Sequence, residues 1–327
     1  MRGKTPVYII SGFLGSGKTT VLKKLVEYTR QQNKKVGLIL NELGDVNVEN
    51  YMFEQEQMVE LLNGCICCSI QDDLKETLQQ FIDNPVDILL IEGTGVANPN
   101  EIVDTLVSTT YLENFELKSI ISLVDASNFL DYQSIFSSSK EIRQLLKEQI
   151  TSASLVIVNK TDLISTKQLQ KVEASIYKNI ANDTPMIATS YGEVSIEELL
   201  KPRIRMITSG ESDQKSCSCS SNDHKEGCEH QNHSNHASIK AVKLDNLPSL
   251  DRKQLQKWLK GLPGEIIRGK GIVQVSGETG LTSFQYAAGR LSFEKLAEAS
   301  MQETVMILIG NNIKKDEIIK YYEKGFL

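Results

Sequence analysis

Short apolar runs punctuate the first two hundred residues, at 7–11, 36–41, 59–62, 88–91, 120–125, 155–159 and 186–190. Several are unbroken Val, Ile and Leu, the pattern of strands buried on both faces of a mainly parallel sheet. Between them apolar positions recur at helical spacing, over 19–32, 70–82, 140–151 and 166–180. This alternation predicts a doubly wound α/β domain. Past residue 207 the pattern stops. Residues 209–238 are Ser, Asn, Asp, Lys, Cys and His with almost no apolar content. Such a stretch cannot bury a core and reads as a flexible linker. Order resumes with an alternating strand at 239–244 and a helix at 250–260. Strand-like runs follow at 272–276, 283–286 and 305–309, and a helix at 314–324 closes the chain. The expected organisation is a mainly parallel α/β domain over 1–207, the linker 208–238, and a smaller α+β domain over 239–327.

Composition narrows the function classes. The net charge of −6 is too acidic for a dedicated nucleic-acid binder. No run approaches the roughly 18 apolar residues of a membrane span. The apolar stretch 7–10 is too short for a signal peptide and leads straight into glycines. The expectation is a cytoplasmic protein with neither nucleic acid nor membrane as partner. The six cysteines fall in two clusters, and all four histidines accompany the second. In a reducing compartment, clustered thiols point to metal or redox chemistry more than to structural disulfides.

Gly12-Phe13-Leu14-Gly15-Ser16-Gly17-Lys18-Thr19 is a complete G-x-x-x-x-G-K-T with a buried strand before it and a helix after it. This is the signature of a P-loop NTPase. The glycines let backbone N–H groups wrap a phosphate chain, and the helix N-terminus adds positive potential. Lys18 is expected to reach the β- and γ-phosphates and the Thr19 hydroxyl to coordinate Mg²⁺, with Thr20 beside them. Asn159-Lys160-Thr161-Asp162 ends another buried run. The Asp162 carboxylate can accept from guanine N1–H and the exocyclic amine, and Asn159 can bond the base's acceptor edge. That polarity selects GTP over ATP. Ser190 ends the next run and is expected to line the base pocket. Glu92, at the tip of 88–91, stands where a Mg²⁺ shell needs a carboxylate; it can hold a metal-bound water or orient the attacking one. Asp125 closes a further run, where a helix-capping role is expected.

Cys65-Ile66-Cys67-Cys68 offers three thiolates within four residues, suited to Zn²⁺ or to Co²⁺ or Cu⁺. A closed structural zinc site takes four ligands, so three from one segment leave a position open for exchange. Glu42, at the end of another run, is a candidate fourth ligand or supporting partner. A redox disulfide and inert buried thiols are the rival readings. The second cluster, Cys217, Cys219, His224, Cys228, His230, His233 and His236, lies in the linker, where ligands without fixed geometry select metal weakly.

In their order along the chain, the P-loop, Asn41-Glu42-Leu43-Gly44, Gly64-Cys65-Ile66-Cys67-Cys68, Glu92-Gly93-Thr94-Gly95 and Asn159-Lys160-Thr161-Asp162 resemble CobW-type GTPases, whose relatives include UreG and HypB. The resemblance extends to Arg268-Gly269-Lys270-Gly271, similar to that family's R-x-K-G strand. It implies a GTP-dependent metallochaperone that binds metal at the C-x-C-C and delivers it to a client metalloprotein. His-rich linkers occur in many members. Where many members carry Arg and Gly after the cysteines, this chain has Gln71 and Asp72, which removes any Arg-mediated contact there. A homo-oligomer is compatible with this reading. The alternative is a metal buffer or sensor with the linker as its store and vestigial GTPase activity. A thiol-redox enzyme lacks a base, since no histidine lies outside the linker, and a nucleoside kinase does not need N-K-x-D.

Overall fold

A computed structural model describes residues 3–40, 57–60, 70–93, 98–181, 183–207, 239–262, 266–287, 290–296, 304–311 and 313–326. The chain separates into two compact units, Met1–Arg205 and Met206–Leu327. In the first, β1 (Thr5–Gly12), α1 (Lys18–Gln31), β2 (Val36–Leu40), β3 (Gln57–Glu60), α2 (Ile70–Asp83) and β4 (Ile88–Glu92) follow one another. Next come α3 (Pro99–Leu106), α4 (Thr109–Leu112), β5 (Phe115–Asp125), α5 (Phe129–Gln133) and α6 (Lys140–Thr151). The unit ends with β6 (Leu155–Asn159), α7 (Thr166–Tyr177), β7 (Met186–Ala188) and α8 (Ile196–Leu200).

The first sheet has seven strands in the order β3-β2-β4-β1-β5-β6-β7. All its pairings are parallel. Side-chain alternation explains why both faces are covered. Leu155 and Ile157 pack with Val21, Leu22 and Leu25 of α1 and Leu199 of α8. Val156 and Val158 turn the other way, onto Ile150 of α6 and Val172 and Ile176 of α7. This is the doubly wound arrangement that the apolar runs predict. α1 sets Val21, Leu22, Leu25 and Val26 on one stripe, all fully or almost fully buried. Leu25→Ala there would cost about 2–5 kcal/mol. Helix starts are also written locally. Asn98 caps α3 ahead of Pro99, and Ser165 with Gln168 forms a capping box on α7.

The boundary between the units falls within β8 (Ile204–Ile207); the second unit continues with β9 (Ile239–Asp245), α9 (Arg252–Lys260), β10 (Ile266–Gln274), β11 (Leu281–Ala287), β12 (Arg290–Lys295), β13 (Val305–Asn311) and α10 (Lys315–Phe326). Its sheet runs β12-β11-β10-β13-β9-β8, antiparallel in every pairing from β12 through β9. Val242, Leu244, Val273, Phe284, Tyr286, Met306 and Leu308 share one core with Leu255, Trp258 and Leu259 of α9 and Ile318 and Tyr322 of α10. Both helices thus cover one face, an α+β layering.

Three differences from the expected elements have physical reasons. β10 begins at Ile266 and not at 272, taking in Arg268-Gly269-Lys270-Gly271; Gly269 and Gly271 interrupt the apolar run by which the strand is read in sequence. Their role is spatial: a Cβ at Gly271 would stand 2.5 Å from the Phe284 ring. β12 lies at a sheet edge and mixes Arg, Ser, Glu and Lys into its strand, so it lacks an apolar signature. β8 joins the second sheet beside β9, so residues 208–238 connect two neighbouring strands of one sheet. Among the described residues no helix is long and apolar enough to cross a membrane.

Candidate functional site

The carboxyl ends of the parallel strands, where ligands collect in open α/β sheets, carry the candidate residues. β1 ends on Gly12 at φ 136°, and a Cβ there would fall 2.2 Å from the Leu123 carbonyl oxygen of β5. Gly17, at φ 103°, is the N-cap of α1. A side chain on it would meet the Asn159 amide nitrogen at 2.5 Å. Only glycine fits either position, and the turn they shape is a cradle of main-chain amides at a helix N-terminus. Ser16 donates its N–H to the Phe13 carbonyl at 3.2 Å, while its buried hydroxyl has no hydrogen-bond partner among the described residues. A buried hydroxyl in a ring of amides suits an anionic ligand. Lys18 is buried, with Nζ 3.4 Å from the Phe13 carbonyl. Thr19 is half-buried and Thr20 exposed on the same turn. The Phe13 ring packs on Tyr132 of α5, centroids 4.7 Å apart.

Glu92 ends β4 and is buried, level with Ile10 of β1 on one side and Leu40 of β2 on the other. Leu40 is level in turn with Glu60, the last residue of β3. Glu92, Leu40 and Glu60 therefore form one row at the sheet's carboxyl edge. Glu42, Cys65, Cys67 and Cys68 lie outside the described residues, as do Thr94 and Gly95. The linker ligands Cys217, Cys219, His224, Cys228, His230, His233 and His236 lie outside them too. Among the described residues no three Cys, His, Asp or Glu side chains converge to hold a metal ion.

At the other end of the site Asn159 is buried and works as a strut. Its Nδ2 donates to the Ser16 carbonyl at 2.9 Å, and its Oδ1 accepts from the Gly192 N–H at 2.9 Å. The oxygen and one amide hydrogen are thus spent inside the protein, and the second hydrogen is left for a ligand such as the acceptor edge of a base, the role expected from the sequence. Lys160 has a left-handed backbone, φ 62°, and sends Nζ 2.7 Å to Asp125 Oδ2. Asp125 does not cap α5, whose N-cap is Asn128. Its carboxylate accepts from the Ser127 N–H at 2.9 Å, the Ser127 hydroxyl at 2.5 Å and Asn128 Nδ2 at 3.1 Å. Burial pushes the Asp125 carboxyl up, but hydrogen bonds from Lys160, Ser127 and Asn128 outweigh it and hold the group below its ordinary pKa.

Asp162 is exposed, and its N–H donates to the Ser190 hydroxyl at 3.2 Å. That hydroxyl also lies 3.0 Å from Thr161 Oγ1. A further contributor has no signature in the sequence. Lys24 of α1 donates to the Tyr191 and Gly192 carbonyls at 3.2 and 3.0 Å, and both of those residues have positive φ. Tyr191-Gly192 after a strand is a recognisable turn pair, but nothing in α1 marks Lys24 as its clamp.

The family model described as CobW/HypB/UreG, nucleotide-binding domain, matches residues 6–188. The model described as Cobalamin synthesis protein cobW C-terminal domain matches residues 239–323. Among curated relatives, a Sinorhizobium sp protein named zinc chaperone CobW is 30% identical over 61% of this chain and 63% of its own length. A Schizosaccharomyces pombe protein named zinc-regulated GTPase metalloprotein activator 1 is 33% identical, over 60% of this chain and 48% of its own. The Escherichia coli zinc chaperone YjiA is 30% identical, over 58% and 59%. The chain thus spans about half to just under two thirds of the length of these relatives. Because the nucleotide-binding model covers more than half of its residues and the C-terminal model most of its second unit, this chain belongs to the CobW/HypB/UreG family.

Proposed function

We propose that this protein is a GTP-hydrolysing metallochaperone of the cytoplasm. It takes a thiophilic divalent ion, zinc first and cobalt second, on Cys65, Cys67 and Cys68 with Glu42, and delivers it to a client metalloprotein. Main-chain amides of Gly12, Gly15, Ser16 and Gly17 hold the phosphates, and Lys18 meets their charge. Thr19 and Glu92 would hold Mg²⁺, which neutralises phosphate charge. Lys160, Asp162 and Ser190 face the base, with Asn159 bracing the two halves of the site. Water attacks the γ-phosphorus, the bond to the β-phosphate oxygen breaks, and GDP and phosphate leave. The names of the relatives, zinc chaperone and zinc-regulated GTPase metalloprotein activator, support the metal and the nucleotide.

One observation carries the coupling. Glu60, from which the chain runs on to the thiols, is in register through Leu40 with Glu92, and Glu92 with Ile10 of β1. Neighbouring strands lie about 4.8 Å apart, so three steps span about 14 Å. A segment starting there is within reach of the phosphate loop, and one loop can respond to nucleotide and metal together. The test is a zinc titration against a chromophoric chelator, with GDP and with a non-hydrolysable GTP analogue. The proposal expects at least about a tenfold difference in zinc affinity, lost in the Cys67→Ser variant. Equal affinity in the two states removes the switch, because a ligand indifferent to two states cannot shift them.

A further inference from the structure

The carboxylate at the end of β5 has no part in the reading above, yet it accepts four hydrogen bonds. Asp125 is 6% exposed at its side chain, while Lys160, its partner, is 33% exposed. Ser127 and Asn128 supply three donors to the carboxylate from the loop that follows β5. Its position is therefore fixed without Lys160, as a receptor is fixed before its ligand. The two strand ends are also locked through the main chain. Asp125 is in register with Asn159, and the Ala126 N–H donates to the Asn159 carbonyl at 3.0 Å. Lys160 follows immediately in a left-handed conformation that a lysine rarely adopts without restraint. The ion pair at 2.7 Å is that restraint.

We infer that Asp125 is a positioning residue for the guanine nucleotide: it anchors the Lys160 ammonium at the protein wall and so fixes the lysine's stem beside the base. The inference rests on the GTP reading proposed above. With Nζ committed to a carboxylate, the charge is neutralised locally, and the four-carbon stem is what Lys160 offers a ligand. A methylene stem complements the face of a purine ring, which carries no hydrogen-bonding group. Asp125 itself touches no ligand, so its whole effect passes through Lys160.

Calorimetric titration of GDP into the full chain tests this, alongside steady-state GTP turnover and melting temperatures. Asp125→Asn should weaken GDP binding about tenfold and raise KM in proportion, with kcat within twofold. Lys160→Met should weaken binding by the same factor, and the double variant should be no weaker than either single one, since both remove one anchor. Additive losses, near a hundredfold in the double variant, would show that Asp125 acts apart from Lys160 and overturn the inference. So would unchanged affinity in Asp125→Asn, or a fall in kcat at constant KM. If Asp125→Asn does not fold, the comparison of Lys160→Arg with Lys160→Met carries the test: the guanidinium can still pair with Asp125, so Lys160→Arg should bind GDP more tightly than Lys160→Met. A Lys160→Met variant as tight as Lys160→Arg refutes the anchor. A parent chain that binds no guanine nucleotide overturns both this inference and the reading beneath it, whereas the variant outcomes strike this one alone.

Discussion

The proposed phosphate end and the proposed base end of the candidate site are built by different means. Between Gly12 and Thr19 the work is done by main-chain conformation within one octapeptide, set by glycines where a side chain would strike Leu123 or Asn159. Around Lys160 it is done by side chains drawn from four separate segments, Lys24 on α1, Asp125 at the end of β5, Asn159 on β6 and Ser190 after β7, with the main chain of Tyr191 and Gly192 as partners of Lys24 and Asn159. A local backbone device is brittle, since one added methyl deforms it. A distributed network yields in steps, one partner at a time. Asn159 belongs to both, holding the Ser16 carbonyl with one atom and the Gly192 amide with another.

The sharpest way to break this contrast is Gly17→Ala. The new Cβ enters at 2.5 Å from Asn159 Nδ2, at φ 103° where alanine is strained. Strain of about 1–3 kcal/mol and the displaced strut should cost GDP affinity on the order of a hundredfold. Titration calorimetry reads it, with circular dichroism to establish that the fold persists. Binding within threefold of the parent would show that the loop tolerates what its geometry forbids. Asn159→Ala comes next. It strips a buried acceptor and a buried donor of their partner, so chemical denaturation should show a loss of about 2–4 kcal/mol. The m-value should stay unchanged. A loss below about 0.5 kcal/mol would mean that the two halves stand independently.

That division also decides what the chain reveals before it is folded. The octapeptide is legible because its glycines, lysine and threonine are contiguous and each type has one physical reason to be there. The parallel strands are legible because an unbroken apolar run this short is stable in water only when both its faces are covered. β5 can be read only from Ile120 onward, since Phe115–Ser119 alternates buried and half-buried positions and looks like surface. Asn159 and Asp125 stand out as residues, but their partners do not. A strand-end Asn beside Lys and Asp suggests a base reader, while its bond to Ser16 spans 143 positions. Nothing in the spacing encodes such a contact. Asp125 resembles a cap because a helix follows it; only the positions of Ser127 and Asn128 show both turning back to serve the carboxylate.

Lys24 gives the finest test of stepwise behaviour. Its ammonium donates to two carbonyls of the loop that also supplies Gly192 to Asn159, from the helix that begins at the phosphate cradle. Lys24→Met keeps most of the stem and removes both donors. The pair is solvent-accessible on one side, and each exposed bond contributes well under 1 kcal/mol, so the expected effect on GDP affinity is about threefold. It should appear almost wholly in the dissociation rate, because loosening this loop frees a bound nucleotide without obstructing its arrival. Stopped-flow chase of a fluorescent GDP separates the two rates. A slower association at constant dissociation would place Lys24 on the entry path. A hundredfold effect, equal to that of Gly17→Ala, would make the base end as brittle as the phosphate end and end the distinction between them.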